Sequence, residues 1–190
     1  MAEILLREGG SEDLGEHVSI PIAFRVERVL RPRPGGGPLE LIEERLSEPW
    51  WKDYDAEDGG DPALWPRRFD TSTWTVISAW AGAERLGGAV LIAHTPGIDM
   101  LEGRNDLALI WDLRVAPAHR RRGVGSRLLA AAAEWARSNG CRELKVETQN
   151  INVGACRLYE RHGFELRSVV VGSYPGLSDE LQLLWYRSVT

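Results

Sequence analysis

Apolar positions along this chain switch between two periods, and the switches mark its elements. From Ile22 to Leu30, Phe24, Val26 and Leu30 alternate with Arg25, Glu27 and Arg28, the pattern of a half-buried strand. Arg31–Pro38 (RPRPGGGP) is too rich in proline and glycine for a regular element and reads as a loop. Leu39, Ile42 and Leu46 recur at helical spacing among acids, so a short helix is predicted there. Thr73–Ala81 and Leu86–Thr95, rich in Val, Ile, Trp and Thr, read as a hairpin turning at Gly82–Arg85. Leu107–Val115 is a strongly apolar strand that carries Asp112.

The period then becomes helical. Over Val124–Asn139, Leu128, Leu129, Ala132, Trp135 and Ala136 fall on one face, and Gly140 stands where a left-handed residue ends a helix. Arg142–Gln149 is a strand, Asn152 a plausible N-cap, and Val153–His162 a second helix ended by Gly163. Two more strands follow near Phe164–Gly172 and Glu180–Arg187. Strand 107–115, helix 124–139 and strand 142–149 have the lengths of a right-handed β-α-β crossover. The other strands connect as hairpins. The expected fold is α/β (α+β): a single domain over 1–190 with a mixed, mainly antiparallel sheet, a central parallel strand pair and flanking helices. Residues 1–21 are weakly patterned and read as a loose leader or a short helix.

Composition narrows the function classes. A length of 190 residues, 43% hydrophobic and 27% charged, suits one globular unit with a sizeable core. The net charge of −5 argues against nucleic acid as a partner. Cys141 and Cys156 have no paired spacing, and His17, His94, His119 and His162 are scattered, so neither a disulfide framework nor a metal site is expected. With no secretory signal evident and no membrane-length apolar helix, the expected setting is the reducing cytoplasm.

Two motifs carry chemistry. Arg120-Arg121-Arg122-Gly123-Val124-Gly125-Ser126 joins the apolar strand to the amphipathic helix, where exposed amides and the helix dipole favour an anion. It lacks the Gly-Lys-Ser/Thr of a mononucleotide loop and the third glycine of a dinucleotide fingerprint, where Leu128 stands instead. The plainer reading is an arginine-rich turn. Asn152-x-x-Ala155-x-x-x-Tyr159-x-x-x-Gly163-Phe164 supplies a capped turn, a small residue and a phenol on one helix face. Taken singly, each of these residues does no more than cap, pack or end a helix.

At this separation the two motifs resemble the GCN5-related N-acetyltransferase (GNAT) superfamily, and Asp112-Leu113-Arg114-Val115 before Pro117 is similar to the family's lead-in to its pyrophosphate loop. The likeness runs from about Leu107 to Leu166. Glu147–Asn152 and Trp185-Tyr186 also resemble the streptothricin-type acetyltransferases. The resemblance implies acetyl-CoA as donor, an amine as acceptor and no metal. It places Arg120, Arg121, Arg122, Gly123, Val124, Gly125 and Ser126 on the pyrophosphate. Leu113, Arg114 and Val115, at a strand bulge, and Asn152, Ala155, Cys156 and Tyr159 are placed along the pantetheine arm.

Acyl transfer to an amine needs a neutral nucleophile, a stabilised oxyanion and a proton for the departing thiolate. An unperturbed lysine-like amine has a pKa of about 10.4, so a base or desolvation must act. Asp112 and Glu147 are the candidate bases, each with an equal reading as a structural carboxylate; Tyr159 is the candidate acid. A covalent route through Cys156 lacks an activating histidine, so direct attack is expected. Glu48–Asp70 interleaves Trp50, Trp51, Tyr54 and Trp65 with acids, either to enclose a cationic acceptor or to pin a solvated loop to the core. Expected partners are acetyl-CoA and a small, cationic or antibiotic-like amine, neither nucleic acid nor membrane, with a homodimer left open. A non-catalytic acyl-CoA-binding module is the alternative, needing neither Tyr159 nor a base.

Overall fold

Strand backbones need neighbours to satisfy their N–H and C=O groups, and the computed structural model shows where each finds one. The structure describes residues 3–57, 60–177 and 179–190. In chain order the elements are β1 (Leu5–Gly9), α1 (Leu14–His17), β2 (Phe24–Pro32), β3 (Leu41–Lys52), β4 (Thr75–Ala81), β5 (Glu84–Ile92), β6 (Leu107–Val115), α2 (Val124–Ser138), β7 (Glu143–Gln149), α3 (Val153–Arg161), β8 (Glu165–Val170) and β9 (Gln182–Ser188). They divide into two units. One holds the chain up to Ala23, Asp53–Leu144 and Ser188–Thr190; the other holds Phe24–Lys52 and Lys145–Arg187.

In the first unit β1, β4, β5 and β6 lie side by side in that order, all antiparallel. The β4–β5 turn uses Gly82 at φ 61°. β7 starts beside the start of β6: the N–H groups of Arg142 and Glu143 donate to the Asp106 carbonyl at 2.8 and 3.2 Å. Both strands therefore set off from the same end, which is the parallel step expected of the crossover. β5 is buried from Leu86 on, as a strand covered on both faces must be. α2 packs on β4, β5 and β6 through Leu128, Leu129, Ala132, Trp135 and Ala136. A second cluster joins Leu14, Trp65, Trp74, Val76, Val90, Ile92, Ile98, Leu101 and Leu109, with Phe69 and Trp111 packed against it.

In the second unit β9 lies between β7 and β8, and β2 pairs with β3 as a long hairpin. Val26, Val29 and Ile151 form its small core, flanked by Phe24 and Leu46. The arrangement is the α/β, mainly antiparallel fold that the periods predict.

Two local expectations are corrected. The helix predicted over Leu39–Leu46 is not formed: Leu39 precedes strand β3, and Ile42 and Leu46 lie within it. Ile42 and Leu46 are also an even number of residues apart, and pairing with β2 decides between the two periods: Arg31 and Glu44 bond across the hairpin at 2.8 Å, and Arg28 bonds Glu43. Residues 3–21, read as a loose leader or a short helix, hold a short helix and also a strand that the pattern did not predict. Leu5–Gly9 pairs with β4 as an edge strand, and the short α1 buries Leu14 and His17 completely.

Candidate active site

After β6 the chain makes a short turn at Pro117–His119, and Arg120 stays extended. Arg121 takes φ 60° and Gly123 φ 87° before α2 begins at Val124. Two left-handed residues in close succession reverse the chain sharply, and Gly123 does so without a Cβ penalty. No side chain caps α2, so the amides of its first turn face outward with the positive end of the helix dipole. Such a turn could hold a phosphate, and Arg121 and Arg122 are exposed beside it.

The Arg120 side chain plays a different part. Its Nε donates to the Val115 carbonyl at 3.0 Å, and its Nη2 to the carbonyls of Ala23 at 3.0 Å, Pro21 at 3.2 Å and Ile22 at 3.4 Å. The guanidinium clamps the entry to the loop; a diphosphate would meet the backbone and the next two arginines. The expected strand bulge is present but sits earlier than Leu113–Val115. Asp112 opposes Val90 and Ile110 opposes Leu91, leaving Trp111 as the extra residue. Leu113 and Val115 are in register with Ala89 and Gly87. A Cβ on Gly87 would strike the Arg114 carbonyl oxygen, so this approach of β5 to β6 requires glycine.

Asp112 and Arg114 belong to a buried charge network. Arg114 Nε donates to Asp112 Oδ1 at 2.9 Å and its Nη2 to Oδ2 at 3.0 Å. Its other edge makes a fork with Asp55, at 2.7 and 2.8 Å. His17 Nε2 lies 2.7 Å from Asp112 Oδ1. Burial pushes the Asp112 carboxyl up, but His17 and Arg114 outweigh it and hold the acid below its usual range. The Arg114 side chain, expected from the resemblance to line the cofactor site, is fully buried and committed to these two acids.

The second unit gathers the other candidates. Asn152 caps α3: its Oδ1 accepts from the Ala155 amide at 3.1 Å. The Tyr159 ring is buried, 5.6 Å from Phe164 and 6.5 Å from Trp185. Burial, with the charges of Glu147 and Glu160, pushes the Cys156 thiol up to about 12. A thiol so protected is no nucleophile near neutral pH. Glu147 is half-buried on β7 and accepts a hydrogen bond from the Tyr174 hydroxyl.

The aromatic–acidic run divides. Trp65 is 5% exposed and packs 6.0 Å from both Trp74 and Trp111, so it pins the segment to the core. Asp55 is held by Arg114, whereas Trp51 stands 70% exposed on β3. Asp58 lies outside the described residues. Sequence reasoning missed His17, Asp55 and Tyr174. Nothing local marks them, because each meets its partner only through the fold.

The model of the acetyltransferase (GNAT) family matches residues 39–164. The chain belongs to the GNAT family. It is 32% identical to streptothricin acetyltransferase A of Bacillus subtilis over 79% of this chain and 80% of that one. It is 30% identical to a streptothricin acetyltransferase of Escherichia coli over 92% and 91%. A candidate streptothricin acetyltransferase from Bacillus anthracis str. Ames, solved in complex with acetyl coenzyme A, superposes with a TM-score of 0.75 at 28% identity, covering 98% of each chain. This GNAT protein is an acetyl-CoA-dependent N-acetyltransferase. The uncapped start of α2 fits the anionic end of that co-substrate. Among the described residues no helix is long and apolar enough to cross a membrane.

Proposed function

We propose that this acetyltransferase modifies a small cationic amine of the streptothricin class by direct attack on acetyl-CoA. The likeness to streptothricin acetyltransferases along most of both chains carries the reading. Backbone amides from Arg121 to Ser126 hold the pyrophosphate, and Arg120 holds the loop in shape. The β6 backbone at Leu113 and Val115, with Asn152 and Ala155, lies along the pantetheine arm.

Of the two candidate carboxylates, Glu147 is assigned as the base. Asp112 has both oxygens bonded to cationic or imidazole partners and its proton affinity lowered, which suits a structural anchor. Glu147 takes a proton from the ammonium, the freed nitrogen attacks the thioester carbon, and the C–S bond breaks as the tetrahedral oxyanion collapses. Tyr159 gives a proton to the departing thiolate and is made good by the second proton lost from nitrogen, while Glu147 releases the first proton to solvent. The high thiol pKa of Cys156 disfavours a covalent acetyl-enzyme.

The test is thiol release from acetyl-CoA with a panel of amines. Streptothricin and other polycationic amines are expected to turn over, with little release from neutral or anionic amines of equal size. Turnover confined to the neutral or anionic amines would overturn the acceptor assignment.

A further inference from the structure

β7 presents Lys145, Glu147 and Gln149 on one face, since side chains two apart in a strand share a side. Lys145 and Gln149 are buried. The Lys145 ammonium lies 5.3 Å from the Tyr186 ring of β9, and Arg167 of β8 covers the same ring at 4.9 Å. From α3, Cys156 feels the charges of both Glu147 and Glu160. Tyr174 joins this face from the connection between β8 and β9 and donates its phenolic hydrogen to Glu147 Oε1.

That connection is firmly tied. The Leu181 amide donates to Asn150 Oδ1 at 2.8 Å, and Asn150 Nδ2 donates to the Asp179 carbonyl at 3.4 Å and to that of Leu30 at 2.9 Å. Lys52 Nζ bonds both oxygens of the buried Glu180 at 3.0 Å. Nearer the tip, the Leu177 amide closes a turn on the Tyr174 carbonyl at 3.1 Å. A buried ion pair is a costly way to hold a loop but a specific one. Its effect is to bring a phenol to one carboxylate.

We propose that Tyr174 is a positioning residue of the transfer reaction, its phenol aiming the Glu147 carboxylate at the incoming ammonium. The inference rests on Glu147 being the base. A glutamate has three side-chain torsions to fix, and a hydrogen bond to one oxygen restricts them. A neutral donor does so without adding a positive charge that would neutralise the base and repel a cationic acceptor. The bond also favours the ionised carboxylate.

The experiment follows the pH profile of kcat/KM for Tyr174→Phe, Tyr174→His and Glu147→Gln, with a thermal melt of each. Tyr174→Phe is expected to move the acidic limb up by about one pH unit, with kcat falling more than KM changes. Tyr174→His, which keeps an N–H donor, is expected to move it less. An acidic limb unchanged in Tyr174→Phe, or moved equally by both substitutions, overturns the inference while Glu147→Gln remains inactive. A Glu147→Gln enzyme that keeps wild-type rate and profile instead overturns the base assignment, and the role of Tyr174 falls with it.

Discussion

Two carboxylates on neighbouring strands of the sequence, Asp112 and Glu147, look alike as candidate bases, yet the structure gives them opposite surroundings. Asp112 is buried against His17 and the Arg114 guanidinium, which reaches on to Asp55. Glu147 is half-buried and meets a phenol. A carboxylate beside an arginine is held as an anion whatever enters the site. One that accepts from a phenol is oriented without an added charge from that donor. On the proposed assignment, the difference between anchor and base lies in the charge of the partner.

The strongest way to break this contrast is to remove a partner from one centre and the acid itself from the other. Arg114→Ala strands two acids, one of them with only 8% of its side chain exposed, and is expected to cost about 3–5 kcal/mol in denaturant unfolding. Glu147→Gln keeps the shape and a hydrogen-bond acceptor, and is expected to lower kcat by about 10²–10⁴-fold while changing stability little. If Glu147→Gln unfolds the protein and Arg114→Ala leaves stability intact, anchor and base have been assigned the wrong way round.

A smaller effect probes the packing around the anchor. A Cβ on Gly88 would lie 2.7 Å from His17 Nδ1 and 3.2 Å from the Ile77 carbonyl oxygen. That ring nitrogen is buried, with no hydrogen-bond partner among the described residues. Gly88→Ala is therefore expected to displace His17 from Asp112 and to cost about 1–3 kcal/mol. Thermal unfolding measures it, and an unchanged midpoint would show that the imidazole can move without loss.

What was legible in the sequence was local. The cap at Asn152 lies within one turn of the amide it serves, and Gly123 shapes the loop in which it stands, so both could be read from spacing. The apolar periods of β6 and α2 likewise gave their bounds closely. β3 was misread because Ile42 and Leu46, four residues apart, fit a helix and a strand alike; the decision came from β2 across the hairpin. β1 was missed because Leu5 and Leu6 do not alternate and an edge strand need not bury either face fully. The anchor was invisible for the same reason on a larger scale. His17 meets Asp112 across 95 residues and Arg114 meets Asp55 across 59, and Tyr174 lies 27 residues beyond Glu147.

The finest distinction between the two acids is in their response to pH. The Asp112 acid is lowered in the folded protein from an unfolded value of about 3.9. Above the unfolded value both states are ionised and the network's contribution is fully present. As pH falls below it, the unfolded chain takes up the proton first, so stability declines until the folded acid is protonated as well. This one group sets a slope of at most about 1.4 kcal/mol per pH unit. Asp112→Asn is expected to start from a lower plateau near pH 6 and to lose less stability between pH 5 and 3, in denaturant melts at each pH (the range in which the unfolded carboxyl titrates). An Asp112→Asn protein with the full wild-type slope would move the acid sensitivity to other carboxylates and leave Asp112 an anchor by geometry alone.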